Sequence, residues 1–440
     1  MPKIKSIIIL IGDVAMLYGA LATTLLIRYK SDFSAHFQDH LKPFSLIFVV
    51  WLIIFYLADL YQNKSLALNL QTIRNFSAAV LVSAAVSAIF FYLFFSFFEL
   101  TPKTNLAIFA FVFGVLDLGW RFLAAKISIS GGLRNRLLII GDSPLISETI
   151  NYLKTNPQTG YDAVSHIKEN LEDRNRKTIQ QAVASDQIDT VIIQPQMKKD
   201  PEVVSVIYKL LPYKIAITDF VSFYEMIFQK LPLEELEESW FIEKISNRRR
   251  LYDILKRFID IVLSIILGVI LLPFALIIAA LVKFTSPGPI FYKEERVGVN
   301  HKPFTIYKFR SMRVNHNGPF WTTKDDKRRT PVGKIIRYTH LDEIPQLINI
   351  LKGNISFIGP RPEKKELAEL YQQLPYYEIR HIIKPGLTGW AQLNYKPSAS
   401  VEEAEEKLRY DIYYIKNRSL ILDALILLKT IRYLFISNDK

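Results

Sequence analysis

Residues 261–282 read IVLSIILGVILLPFALIIAALV, 22 residues without a charge. Whether the chain crosses a bilayer here or turns back decides the fold of everything that follows. The length suffices for a span, since about 20 apolar residues cross a bilayer core. A crossing would put the rest of the chain outside the cytoplasm. Yet Arg248, Arg249, Arg250, Lys256 and Arg257 precede the segment and Lys283 and Lys293 follow it, so both flanks carry the cytoplasmic charge pattern. Pro273 stands in mid-segment, where it lacks the N–H that would reach the Val269 carbonyl and favours a kink. A broken, re-entrant helix over about 258–284 satisfies both observations. A Pro-kinked span is the alternative.

Toward the N-terminus, four more hydrophobic segments cover about 6–27, 44–61, 76–98 and 105–123, each close to spanning length. The first is too long for a cleaved leader, and three more follow it. Lys3 and Lys5 precede the first, Lys64 and Arg74 lie between the second and third, and Arg121, Lys126, Arg134 and Arg136 follow the fourth. These flanks are therefore assigned to the cytoplasm, although Arg28, Lys30 and Lys42, against Asp32 and Asp39, blur the contrast in the first external loop. Asp13, Asp59, Asp117 and Arg121 lie in or beside the segments. Packing or snorkelling near segment ends is expected for them, with a conduction path as the alternative.

From Arg134 the pattern changes to short β-rich runs alternating with polar helical stretches. Residues 137–140 read as a buried strand ending at Gly141-Asp142-Ser143, and 190–193 as another after a helix near 177–185. This predicts a small α/β domain with a parallel sheet. The turn after the first strand lacks G-x-G-x-x-G, so the dinucleotide reading is weak and a regulatory or interface role is expected.

The 440 residues are half hydrophobic and contain no cysteine, which removes disulfides, zinc-thiolate sites and thiol catalysis. Residues 1–247 carry 23 Lys+Arg and 23 Asp+Glu, and residues 248–440 carry 32 and 19, so the whole net charge of +13 belongs to the last part. With no nucleic-acid module in view, that excess points to anionic lipid or a phosphorylated substrate.

The chemistry gathers around Arg337-Tyr-Thr-His-Leu-Asp-Glu-Ile-Pro-Gln-Leu347. Asp342 and Glu343 stand at a predicted helix start, with Ile344, Leu347, Ile348 and Leu351 forming one apolar face and Gly353 a C-terminal stop. A helix N-terminus favours an ionised Asp342, as a nucleophile or metal ligand needs. Simple capping is the plainer alternative. Arg337 upstream, Arg361 in the Pro-bracketed turn downstream, and Lys308 and Arg310 in Tyr307-Lys308-Phe309-Arg310-Ser311-Met312 make a cationic set suited to phosphate. Surface ion pairs are the alternative for each.

The motifs follow one order: Lys256-Arg257 with Asp260, Ser286-Pro287-Gly288-Pro289-Ile290-Phe291, Arg296-Val297-Gly298, the 307–312 segment, Asp342-Glu343, Gly359-Pro360-Arg361-Pro362, and Lys384-Pro385-Gly386-Leu387-Thr388-Gly389-Trp390-Ala391-Gln392. In that order they resemble the bacterial sugar transferases, the monotopic phosphoglycosyl transferases that start lipid-linked glycan assembly. The resemblance implies a four-span domain over 1–126, a Rossmann-like α/β domain over 134–245, and a mostly helical catalytic domain over 250–440 with the re-entrant helix. Leu272 and His340 stand where the family usually has serines, and His340 is given no role.

It also implies transfer of a sugar 1-phosphate from a UDP-sugar to polyprenyl phosphate with release of UMP, on the cytoplasmic face of a bacterial inner membrane, in a homodimer. By the same resemblance, Asp342 would attack phosphorus, Asp342 with Mg²⁺ would balance charge, Glu343 would assist, and Arg337 would bind phosphate. Arg361, Lys308 and Arg310 are further candidates, and no nucleic acid takes part. A non-catalytic scaffold and a transporter are the rival readings. Trp390 is read as a packing residue, a wall of the active site or an interfacial anchor. Residues 410–414 and 420–428 read as amphipathic helices that lie on the membrane or pack on the domain.

Overall fold

The structure is a computed structural model that describes residues 2–58, 60–61, 70–94, 103–130, 134–168, 188–213, 215–245, 249–313, 329–395 and 400–436. Asp59, Lys64, Arg248 and the helix expected near 177–185 lie outside the described residues. The chain divides into two compact units, Met1–Phe220 and Val221–Lys440.

The first unit opens with four apolar helices, α1 (Pro2–Tyr29), α2 (Phe33–Leu57), α3 (Leu70–Leu93) and α4 (Lys103–Ser130), each long and apolar enough to cross a membrane. Their shared core is aromatic: Phe44, Trp51, Phe55, Phe109 and Phe113 are all buried. The Trp51 indole donates to Ser87 Oγ at 2.8 Å, which satisfies its N–H away from water. Arg121 on α4 donates to Asp13 on α1 at 2.5 Å and to Asp117 at 2.8 Å, with all three side chains buried. These charges tie α1 to α4 inside the bundle, so snorkelling does not account for them. At Gly12 an added Cβ would fall 1.9 Å from Trp120 Nε1, and this close approach requires glycine.

The same unit contains a four-stranded sheet of β1 (Asn135–Ile140), β2 (Tyr161–Ile167), β3 (Thr190–Ile193) and β4 (Ala216–Asp219), in the order β2-β1-β3-β4. Every pair is parallel, as the alternating pattern predicted. Helices α5 (Pro144–Thr155) and α6 (Pro201–Leu210) alternate with the strands. The strand order reverses between β1 and β3, the place where such sheets open a ligand crevice. Gln194 stands at this place: its Oε1 accepts from the Asp142 N–H at 2.9 Å, and a Cβ on Gly141 would lie 2.4 Å from Gln194 Cβ. Helix α7 (Phe220–Phe228) follows β4 in the chain, and from Val221 on it belongs to the second unit.

The second unit contains α8 (Glu238–Ile245) and the 36-residue α9 (Arg250–Thr285), assigned as one helix through Pro273. An antiparallel pair follows, β5 (Phe291–Val297) with β6 (Pro303–Phe309), then α10 (Pro331–Tyr338) and α11 (Leu347–Lys352). After these come β7 (Ser356–Ile358), α12 (Lys365–Tyr371), β8 (Gly386–Thr388), α13 (Trp390–Asn394), α14 (Val401–Asn417) and α15 (Leu420–Ile436). Both halves of α9 rest on this body. Leu263 and Leu267 pack with Ile350 and Tyr414, and Ile278 and Val282 pack with Phe309 and Ile336, while Val269 (69%), Ile270 (58%) and Phe274 (56%) between them stay exposed.

The terminal helices pack on the domain, with Leu408, Ile412, Tyr414 and Ile426 buried. Trp390 is buried as well, stacked on Tyr413 and donating to the Gln229 carbonyl at 3.0 Å, which leaves no interfacial anchor there.

Candidate active site

The carboxylate pair lies in a 3₁₀ turn, Leu341–Gln346, between α10 and α11. An α-helix running straight on from Asp342 was expected, with Ile344, Leu347, Ile348 and Leu351 buried. Instead Leu347 and Ile350 are buried, and Ile348 and Leu351 are exposed. Pro345 has no N–H to give the ladder, and a 3₁₀ turn advances about 120° per residue rather than about 100°, so the helix restarts in a new phase. His340 enters the turn at φ 55°, a left-handed conformation that His tolerates better than most residues. Its role is conformational.

The two carboxylates live differently. Glu343 accepts from Lys308 Nζ at 2.7 Å and from Arg361 Nη2 at 3.1 Å. Burial opposes its charge, but Arg361 and Lys308 outweigh that and hold its pKa far below the usual carboxylate range. Asp342 is buried at 5% exposure and makes no hydrogen bond or ion pair among the described residues. Burial raises its pKa above the ordinary value; Lys308, Arg337 and His340 pull it down without cancelling the rise, and Glu343 adds to it. The expected helix-terminus stabilisation is outweighed by this desolvation.

Four of the six residues expected at the site thus come together around the turn: Asp342, Glu343, Lys308 from β6 and Arg361 from the segment after β7. Arg337, in the last turn of α10, acts on Asp342 through its charge and sets Nη1 3.6 Å from Met312 Sδ. Arg310 is placed elsewhere. It is buried and donates to the carbonyls of Val282, Ser286 and Pro287 at 2.7–3.1 Å and to Ser286 Oγ at 2.8 Å, closing the C-terminus of α9.

The supports were only partly visible in sequence. Arg380 donates to the Arg361 carbonyl at 2.9 Å and pairs with Asp411 at 3.0 Å, while Lys407 pairs with Glu363 at 2.6 Å. Gln346 is buried beside Lys308 and Arg361, and its Nε2 has no hydrogen-bond partner among the described residues. Its place three residues after Glu343 was the available clue. The motif Lys256-Arg257-Asp260 also resolves into contacts: Lys256 pairs with Asp423 at 2.6 Å, Arg257 caps the Ile350 and Leu351 carbonyls, and Asp260 accepts from Ser356 Oγ and the Phe357 N–H.

Among the described residues no three His, Cys, Asp or Glu side chains gather as a metal cage. A magnesium ion that arrives with a diphosphate needs only one or two carboxylates from the protein. Asp342, without an ion pair among the described residues, fits that demand, whereas both cations on Glu343 compete for its oxygens.

Asp342, buried and without an ion pair among the described residues, lies beside the paired Glu343, and Lys308, Arg361 and Arg337 act on it through their charge. The bacterial sugar transferase family profile matches residues 251–437. The exopolysaccharide production protein PSS of Rhizobium leguminosarum bv. phaseoli is 40% identical over 187 residues, 40% of this chain and 94% of that protein. The chain belongs to the bacterial sugar transferase family. Over its C-terminal part it is 43% identical to the UDP-N-acetylgalactosamine-undecaprenyl-phosphate N-acetylgalactosaminephosphotransferase of Aeromonas hydrophila. It is 41% identical there to the UDP-glucose:undecaprenyl-phosphate glucose-1-phosphate transferase of Escherichia coli (strain K12). These matches cover 41% and 40% of this chain and only 44% and 39% of those two relatives.

Proposed function

We propose that this protein transfers a sugar 1-phosphate from a UDP-sugar to undecaprenyl phosphate, releasing UMP and beginning a surface polysaccharide. The observation that carries this reading is the contrast at the dyad: Asp342 buried and without an ion pair among the described residues, Glu343 held by two cations. An Asp342 oxygen attacks the phosphorus next to the sugar, and the bond from that phosphorus to the bridging oxygen breaks as UMP leaves with the electron pair. A phosphate oxygen of the lipid then attacks the same phosphorus and releases Asp342. Lys308, Arg361 and Arg337 counter the charge that develops on phosphate oxygens, and Arg361 offers a planar fork to two of them. Magnesium, held by Asp342 and the diphosphate, would supply further charge neutralisation. Glu343 keeps Lys308 and Arg361 in place.

The proposal includes the three-part layout with limits 1–126, 134–245 and 250–440, a homodimer, and a catalytic domain on the cytoplasmic face. Contact of both halves of α9 with one body, across an exposed middle, supports entry and exit on one face of the membrane. The names of the relatives make UDP-glucose and UDP-N-acetylgalactosamine the first donors to try. The test is UMP release by purified protein given Mg²⁺, undecaprenyl phosphate and a panel of UDP-sugars. One donor should support release in the wild type, and Asp342→Asn should lower it at least 10³-fold. Equal release by the variant would remove Asp342 as nucleophile, and silence across the panel from folded protein would favour a scaffold.

A further inference from the structure

The first turns of α9 form one wall of a cavity of 1280 Å³ that neither Asp342 nor Glu343 lines. Ile242, Ile254, Ile379 and Ile382 give it an apolar side. Five cations, Arg250, Lys256, Arg257, Lys384 and Arg418, meet two carboxylates there, Asp253 and Asp260. Their pairings leave the imbalance unevenly spread. Lys256 is neutralised by Asp423 from behind at 2.6 Å, and Arg418 faces Asp253 at 3.9 Å. Arg257 is bonded to two backbone carbonyls, which satisfy its N–H groups and leave its charge in place.

Lys384 has no hydrogen-bond acceptor or ion-pair partner among the described residues; burial and the Arg257 charge push its pKa down, and Asp260 and Asp253 pull it back without cancelling the fall. The two cations converge: a Cβ at Gly353 would lie 3.3 Å from Arg257 Nη2 and 3.4 Å from Lys384 Nζ. They meet at the C-terminus of α11, and with Asp253, Asp260 and Asp423 offsetting only part of the five positive charges around the cavity, the site still favours an anion.

What kind of anion follows from the cavity's other wall and its place. A free phosphate has no use for a row of isoleucines. The cavity lies where α9 begins its apolar run, and around it Leu251 (72%), Ile254 (57%) and Phe258 (64%) are exposed, so the apolar wall is continuous with the face that α9 offers to lipid. Headgroup charge and hydrocarbon are both met within one site.

We propose that this cavity binds one anionic phospholipid of the surrounding bilayer, its phosphate between Lys384 and Arg257 and an acyl chain along the isoleucine wall. The site is separate from the acceptor position at Asp342, and it rests on the reading of α9 as a membrane-embedded helix. A lipid seated there bridges the start of α9 and the segment leading into β8, and so anchors the catalytic body at the membrane surface.

The test is native mass spectrometry of the full-length protein in detergent, titrated with phosphatidylglycerol, phosphatidylcholine, undecaprenyl phosphate and inorganic phosphate. Wild-type protein should retain one phosphatidylglycerol and not phosphatidylcholine. Lys384→Met, which keeps the aliphatic stem, should weaken retention at least tenfold. Ile382→Glu should do the same from the tail side, at a half-exposed position that does not carry the fold. Equal retention by both variants, or equal retention of phosphatidylcholine, overturns the proposal. Displacement by inorganic phosphate would make the site one for a free anion, and displacement by undecaprenyl phosphate one for the acceptor; either result also overturns it. UMP release measured on the same wild-type preparation reports the proposed function separately from the lipid count.

Discussion

Asp342 and Glu343 are neighbours with the same functional group, and their surroundings give them opposite tendencies. The folded pKa of Asp342 is raised, so the native state binds its proton more tightly than the unfolded chain does. Stability therefore falls as pH rises past the ordinary Asp value of 3.8. Asp342→Asn removes that cost. It should raise the Tm at pH 7 while abolishing UMP release, and the stability gain should vanish below about pH 3.8 in thermal unfolding followed across pH. For Glu343 the sign is reversed. Its folded pKa is depressed, so its contribution is present above the ordinary Glu value and is lost only in strong acid as pH falls through the folded value. Glu343→Gln should cost about 2 kcal/mol at pH 7 by denaturant unfolding, less than a fully buried pair because Arg361 keeps contact with water. The residue types were legible in the sequence. Which carboxylate is paired was not, because Lys308 on β6 and Arg361 after β7 arrive from distant parts of the chain.

At the scale of elements, two expectations shifted for identifiable reasons. The apolar stripe after the dyad was read with α-helical phase, and Pro345 rotated it by inserting a 3₁₀ turn. The 307–312 segment makes Arg310 a further phosphate candidate beside Lys308, with an ion pair as the alternative. Adjacent strand residues point to opposite faces, yet residues i and i+2 on a strand share one. What separates them is that β6 ends at Phe309, so Arg310 leaves the strand and turns to the end of α9. Removing its guanidinium takes a donor from the Ser286 and Pro287 carbonyls and leaves the Val282 carbonyl with Ser286 Oγ alone. Arg310→Met should therefore lower stability by about 3 kcal/mol in denaturant unfolding. If Arg310 instead bound substrate, the same variant would keep its stability and lose only UMP release. The glycines of the last motif belong to this scale too: an added Cβ at Gly386 would sit 2.0 Å from the Gly359 nitrogen, where β8 runs against β7. That motif is a condition of backbone packing.

For the whole molecule, the central question is the path of α9, and the absence of cysteine makes it directly testable. Single cysteines placed at Leu251 and at Phe284, both exposed, should be labelled by a membrane-impermeant maleimide only when the cytoplasmic face is open. Labelling of position 284 from the opposite face would establish a span and move the catalytic body outside. The number of apolar segments and the parallel α/β part can be read from the amino-acid sequence, because they rest on local periodicity, segment length and residue type. Packing in three dimensions is what buries Arg121 between Asp13 and Asp117, sets Gln194 against the Asp142 N–H, and clamps Glu343 while Asp342 has no ion pair among the described residues. Each of these depends on groups far apart in the chain meeting in a low-dielectric interior, where pairing and desolvation set the charge state. Local pattern carries no information about that meeting.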